Sequence, residues 1–294
     1  MIHSEVKSLD HKYDIPELLQ RLIHWQAEIA SHVPDMDTAT GYYLGLDLND
    51  NGGYTCSPLD SIYCAGTGMD GIHYSLLTDF GTVPNLDEAP VIRVSPMDIG
   101  TCVRIVAANL RDFFSLHFYG HEGLLLIDFE TKEDYLEYLR TQEEEASSAL
   151  QDDPHNMGKW YRQRQWVNQK ALEEFAFAPI EDPFSYLQEF RQKRKEEIIL
   201  KTSDSLGIMP FPDRGDGLQA APHPWRRKEI NPYEQRDEIQ AFIQGAECET
   251  LLSFIRDYQE QAVNDAQLLK LLCQKLEHYG FHLEAVRLRQ CMDL

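Results

Sequence analysis

The residues best able to do chemistry crowd into sixteen positions, GTGMDGIHYSLLTDFG, from Gly66 to Gly81. Gly66-x-Gly68-x-x-Gly71 has the spacing of a loop whose backbone N–H groups cradle the phosphates of a nucleotide. Asp79-Phe80-Gly81 has the form of a kinase metal-binding triplet. His73 stands between Asp70 and Asp79, so an imidazole and two carboxylates could surround a metal ion and activate water in a hydrolase. Downstream, His117 and His121 are four apart with Glu122 adjacent, a spacing that could put two imidazoles on one helical face. Upstream, Asp47-x-Asn49-x-Asn51-Gly52 matches the first half of an EF-hand calcium loop.

Each of these needs an element to position it, and the neighbouring sequence supplies the wrong ones. A dinucleotide fingerprint requires a helix directly after its glycines, because the helix N-terminus receives the pyrophosphate. Here IHYSLLTD follows, short and rich in β-branched and aromatic residues, so the pattern predicts strand–turn–strand with glycines supplying positive φ. Asp79 comes eight residues after Gly71, which leaves no room for a lysine strand or an H-R-D loop. The calcium pattern has Pro58 where a bidentate Glu belongs, and Asn51-Gly52 reads better as a tight turn between strands. Gly120 ends the helix between His117 and His121, which favours ordinary surface or partly buried histidines over metal ligands. Around His73 no nucleophile sits in a recognisable elbow. DRGDG, Asp213 to Gly217, reads as an exposed turn-rich loop.

The elements themselves divide the chain. DIPELLQRLIHWQAEIASHV predicts a first helix, with Asp14 and Glu17 as a capping pair around Pro16. Ile15, Leu18, Leu19, Leu22, Ile23 and Ile29 fall on one face of it. From Tyr42 to about Leu110 the texture is short β-type runs between turn residues: YYLGLDL, SIYCAG, IHYSLLTD, APVIRVSP and CVRIVAANL. NLRDFFSLHFYG predicts a helix ending at Gly120, LLLIDF is a further apolar run, and Thr131 caps an acidic amphipathic helix. Beyond Ala149 the pattern is helical. Residues 202–235 interrupt it, with eight Pro or Gly in 34 positions, as a loop or linker packed over the surface. Leu268, Leu269, Leu272 and Leu276 make a helix face too apolar to be left in water.

Composition bounds the function. The 294 residues carry 27 basic and 49 acidic side chains, net −22. The first 150 residues hold 25 acidic against 8 basic side chains, net −17, and the remainder 24 against 19, net −5. Such a front half repels nucleic acid and anionic membrane at long range and steers a basic partner toward itself. The basic clusters RQKRK, Arg191 to Lys195, and WRRK, Trp225 to Lys228, are expected to dock on the acidic half or face solvent. Six cysteines without C-x-x-C spacing predict neither a disulfide framework nor a zinc ribbon. No apolar run approaches a membrane span and no signal-peptide core opens the chain, so a cytoplasmic location is expected.

The stretches SPLDSIYCAGTGMDGIHY, SPMD and VAANLRDFFSL, taken in this order, resemble the SUKH superfamily. That superfamily comprises bacterial immunity proteins against polymorphic toxins, with fungal cell-wall regulators among its relatives. The resemblance covers about residues 15–139. It implies an α+β domain, a cytoplasmic location, no catalysis, and a protein partner that is often a basic nuclease toxin; no cofactor is expected.

The expected architecture is therefore α+β: an N-terminal helix, a largely antiparallel sheet with covering helices, then a mainly helical extension. Its divisions are a SUKH-like domain at 1–149, a helical extension at 150–201, a Pro/Gly-rich linker at 202–235 and a C-terminal helical segment at 236–294. The expected function is a non-enzymatic bacterial protein-binding module with an acidic face. Asp70, His73, Asp79, Asp87 and Glu88, on or beside an exposed hairpin, are the expected contact residues. A metal-dependent hydrolase using His73, Asp70 and Asp79, or a helical scaffold, is the alternative.

Overall fold

The computed structural model describes residues 13–41, 43–48, 53–151, 157–212 and 220–292, with no side-chain detail for 291–292. The calcium-like loop (from Asn49 on) and DRGDG lie outside them. Helix α1, Glu17–Ile29, buries Leu19, Leu22, Trp25 and Ile29, with Ile15, Leu18 and Ile23 packed at its edge. The expected cap is absent. Pro16 occupies the N-cap, no side chain accepts there, and Asp14 lies two residues before the cap position.

Five antiparallel strands form a meander in chain order: β1 (Gly45–Leu46), β2 (Ser61–Gly66), β3 (His73–Leu77), β4 (Val91–Val94) and β5 (Val103–Ala107). The run expected to form the first strand pairs over only two residues, Gly45 with Gly66 and Leu46 with Ala65. Both faces of the sheet are covered. Ile62, Cys64, Tyr74, Leu76 and Val106 join the core under α1 and its neighbours. Leu77, Ile92, Val94, Val103 and Ile105 point the other way, toward Leu206 and Phe190. Burial on both faces takes in the polar members of β3 and β4 as well: His73, Ser75 and Arg93 are all buried.

Helix α2, Leu110–Phe118, starts on Asn109, whose side chain accepts from Asp112 N at 2.9 Å, and stops before Gly120 at φ +84°. The apolar run after it is the short helix α3, Gly123–Leu126. In α4, Lys132–Gln151, Thr131 Oγ1 accepts from Asp134 N while the Asp134 carboxylate accepts from Thr131 N, both at 3.1 Å. This is the reciprocal cap expected from Thr131. Helix α5, Met157–Phe175, runs back along α4, and α6, Pro183–Glu197, begins on an Asp182 cap with Pro183 in its first turn.

Among the described residues four further helices close the fold: α7 (Pro232–Gly245), α8 (Cys248–Glu260), α9 (Ala266–His278) and α10 (His282–Met292). The leucine face of α9 is packed, with Leu268, Leu272 and Leu276 fully buried in a cluster shared with α7, α8 and α10. The segment between α6 and α7 enters the interior: Thr202, Asp204, Leu206, Ile208, His223, Trp225 and Ile230 are all buried. The bridge between Leu200 and Ile208 closes its first turn. Among the described residues the five cysteines are free and buried, and no helix is long and apolar enough to cross a membrane.

Helix α8 is the hub. Every residue from Thr250 to Glu260 is buried, its polar side chains included. Arg256 pairs with Asp60 at 2.7 Å and Asp204 at 3.1 Å, and lies 3.9 Å from Asp79. Asp257 accepts from Ser203 N at 2.6 Å and bonds His223 at 3.0 Å. Gln259 donates to the carbonyls of Thr55 and Ser57, and Glu260 accepts from Cys102 N at 3.3 Å. Burial raises the Asp60 pKa to about 6 against the pull of Arg256, and raises Glu260 to about 7 with Asp204 adding to the effect. Burial alone would lower Arg256, but Asp60, Asp204 and Asp79 together hold it above its ordinary value.

Candidate functional site

Asp87 and Glu88 sit on a single helical turn, Leu86–Glu88, opened by Asn85, whose side chain accepts from Asp87 N at 3.1 Å. Leu86 and Ala89 on either side are buried, which anchors the turn and leaves both carboxylates exposed. The turn faces the first residues of α1 and α2 across a groove of about 390 Å³. Glu17 and Asp112 contribute two more carboxylates, each in the first turn of a helix, where the backbone dipole favours negative charge.

Two arginines also line this groove, and both are drawn toward the end of α5. Arg21 reaches Glu174 at 3.4 Å and lies over the Phe175 ring. Arg111 donates to the carbonyls of Phe175 and Ala176 and lies over Phe177. Asp112 accepts from Tyr186 Oη at 2.7 Å, which fixes it. Among the described residues Glu17, Asp87 and Glu88 make no side-chain hydrogen bond or ion pair, so their acceptors point at solvent.

The other expected contact residues lie elsewhere. Asp70 is exposed at the tip of the β2–β3 hairpin, at φ +50° between Gly68 at +76° and Gly71 at +70°. The glycine pattern is thus a hairpin turn, closed by Thr67 N to Ile72 O at 3.0 Å, with a strand where a nucleotide-binding helix would start. Gly66 has no positive φ; its place is decided by the Tyr63 hydroxyl, 2.5 Å from where a Cβ would stand.

His73 and Asp79, expected at an exposed hairpin, are buried. His73 packs between Tyr54 and Tyr63, with ring centroids at 5.8 and 5.5 Å. Its Nδ1 lies 2.8 Å from the Gly71 carbonyl, which can only accept, so Nδ1 carries the hydrogen. Asp79 follows the far end of β3, where Arg194 from the RQKRK cluster donates to both carboxylate oxygens at 2.8 and 2.5 Å. The Asp-Phe-Gly triplet is an ion-paired corner, with Asp79, Phe80 and Gly81 all at positive φ. Arg191 of the same cluster donates to Ile105 O, so these two basic residues do dock on the front half while Lys193 and Lys195 stay exposed.

His73 opens β3 and Asp79 lies beyond its end, so the structure does not gather the trio of His73, Asp70 and Asp79. His117 Nε2 bonds Thr40 O at 3.1 Å, and burial lowers its pKa to about 4; His121 Nδ1 bonds Tyr135 Oη at 2.7 Å, and burial lowers its pKa too. Among the described residues no group of three or more His, Cys, Asp or Glu is arranged to hold a metal ion. Asp60, Asp204 and Arg256 escaped the sequence reading because nothing local marks them: Asp60 and Arg256 are 196 residues apart.

Family models, curated proteins and solved structures were all compared with the chain, and none matches it.

Proposed function

We propose that this chain is a non-enzymatic bacterial protein-binding module, acting in the cytoplasm, that receives a basic protein on the acidic surface of its front half. A toxin-immunity or regulatory role, of the kind its resemblance to the SUKH superfamily implies, accords with that chemistry. One observation carries the reading: Glu17, Asp87 and Glu88 converge on one groove with their acceptors unengaged, while the two arginines that also line it bind Glu174 and the carbonyls of Phe175 and Ala176 instead. Preorganised, unneutralised carboxylates on a rigid frame raise the encounter rate of a basic partner and reject acidic ones. The hairpin carboxylate Asp70 adds to the same field, since it lies in the half of net −17.

The test is kinetic. A partner is captured with the intact chain from its own host, and association is followed with Asp70, Asp87 and Glu88 changed together to Lys. The association rate falls at least tenfold at low salt, and wild-type association slows as screening shortens from about 10 Å at 0.1 M to about 3 Å at 1 M. All three positions are exposed, so the fold is retained. An association rate indifferent to both salt and charge reversal would sink the reading.

A further inference from the structure

A small cavity, of about 90 Å³, lies where α6 passes the edge strand β5 and the turn at residues 204–206. Its lining carries Arg104, Arg191, Arg194 and Lys195 against one carboxylate, Asp204. In a chain of net −22 such a concentration of positive charge runs against composition. It also comes at a local cost. Arg93 and Arg104 stand directly opposite each other on β4 and β5, and like charges in that relation destabilise a sheet. Arg191 joins them from α6, and the three share the Asp128 carboxylate: Arg93 at 2.9 Å, Arg104 at 2.6 Å and Arg191 at 3.9 Å. Two positive charges of that trio are left without a counterion among the described residues. Burial pushes the Arg191 pKa down to about 10; Asp128 resists, and Arg104 and Arg93 push it the same way as burial.

Two of the lining groups are already engaged. Arg194 donates to both oxygens of Asp79 and to Leu206 O. Asp204 accepts from Thr202 Oγ1 and Leu206 N on one oxygen and from Arg256 on the other, which ties its charge to the α8 side. The rest are not. Among the described residues Lys195 Nζ and both Nη nitrogens of Arg104 make no hydrogen bond or ion pair, and Arg191 engages only Nε and Nη2. The Arg104 side chain is 37 % exposed and Lys195 stands in solvent, so a ligand can reach them.

We propose that this pocket binds a doubly charged oxyanion, inorganic phosphate or the phosphate group of a monoester, through Arg104, Arg191 and Lys195. The volume suits one such group and is too small for a drug-sized molecule. Two negative charges match the uncompensated excess, and a guanidinium fork fits the oxygens of a phosphate. Lys195 and Ser205 are exposed, so the pocket opens on their side and the remainder of an ester can stay in water. No lining residue is shared with the Asp87–Glu88 groove, so the proposal stands whether or not that groove binds protein.

The full chain is titrated at pH 8 and low salt with inorganic phosphate, methyl phosphate and, as the monoanion control, acetate. A monoester is a dianion there, its second pKa being about 6. Backbone amide resonances of residues 103–105 and 204–206 are followed by NMR. At least one phosphate shifts them saturably with a Kd below about 5 mM, and acetate binds at least tenfold more weakly. Arg104→Gln weakens phosphate binding about tenfold and Lys195→Gln about fivefold, the latter with an unchanged melting temperature because Lys195 has no partner to lose. Lys193→Gln, on the same helix but outside the pocket, leaves binding unchanged. Methyl phosphate binding as tightly as inorganic phosphate assigns the pocket to a monoester; tenfold tighter inorganic phosphate assigns it to the free ion. If Arg104→Gln does not fold, the wild-type and the two lysine variants decide. No saturable shift with either phosphate, acetate binding equally well, or Lys193→Gln weakening binding as much as Lys195→Gln overturns the proposal.

Discussion

Helices α4 and α8 are both rich in charge, and they use it in opposite ways. In α4 only Tyr135 is buried, and Glu133, Glu137, Glu143, Glu144 and Glu145 stand in water. In α8 everything from Thr250 onward is buried, and Arg256, Asp257 and Glu260 find partners on segments from residues 60 to 226. Charge on α4 is a long-range field, screened by salt. Charge on α8 is a set of short contacts that joins the sheet, the α6–α7 segment and the C-terminal helices. The same residue types are therefore worth very different amounts in the two places.

The largest effect expected from this contrast is at Arg256. Arg256→Met keeps an unbranched side chain but strands Asp60 and Asp204 in the interior beside Asp79. Removing one partner of a buried ion pair costs about 3–5 kcal/mol, so denaturant unfolding should show a loss of that size. A loss under about 1 kcal/mol would mean that the carboxylates are already relieved by water, and that α8 is not the joint described.

Glu260 gives a smaller effect of opposite sign. Its carboxyl titrates near 7 in the folded protein against an ordinary value of 4.5. The folded state therefore holds this proton more tightly than the unfolded chain does. This group leaves stability untouched below pH 4.5, lowers it as pH rises from there to about 7, and keeps it lowered above. Glu260→Gln retains an acceptor for Cys102 N and removes the charge. The variant should gain about 3 kcal/mol over wild type at pH 8 and nothing at pH 4, read from melting curves at both values. A gain equal at both pH values would assign the effect to packing.

The smallest effect is expected on α4. Glu144→Gln, exposed and without a partner among the described residues, should change stability by no more than about 0.5 kcal/mol at any salt concentration. A larger change would mean that the solvent face of α4 is covered by something, and the comparison with α8 would need redrawing.

Local residue order was enough to place most of the elements. Short apolar runs bounded by turn residues become β2 to β5, Gly120 stops α2, Thr131 caps α4, and the Gly68–Gly71 pattern is a hairpin. These depend on interactions between neighbours: a φ that glycine tolerates, a cap three residues from its donor, a spacing that puts leucines on one face. The charge imbalance between the halves is likewise a property of composition alone. Which charges meet is not. Asp79 looked like an exposed or metal-binding carboxylate until Arg194, 115 residues later, was found on both its oxygens. Glu122 looked like the companion of two histidines until Arg164 took one of its oxygens and left the other bare. Burial and pairing of polar groups are decided by which distant segments the core brings together. The energy of such a group depends on its solvent exposure and partners, neither of which its sequence neighbours report.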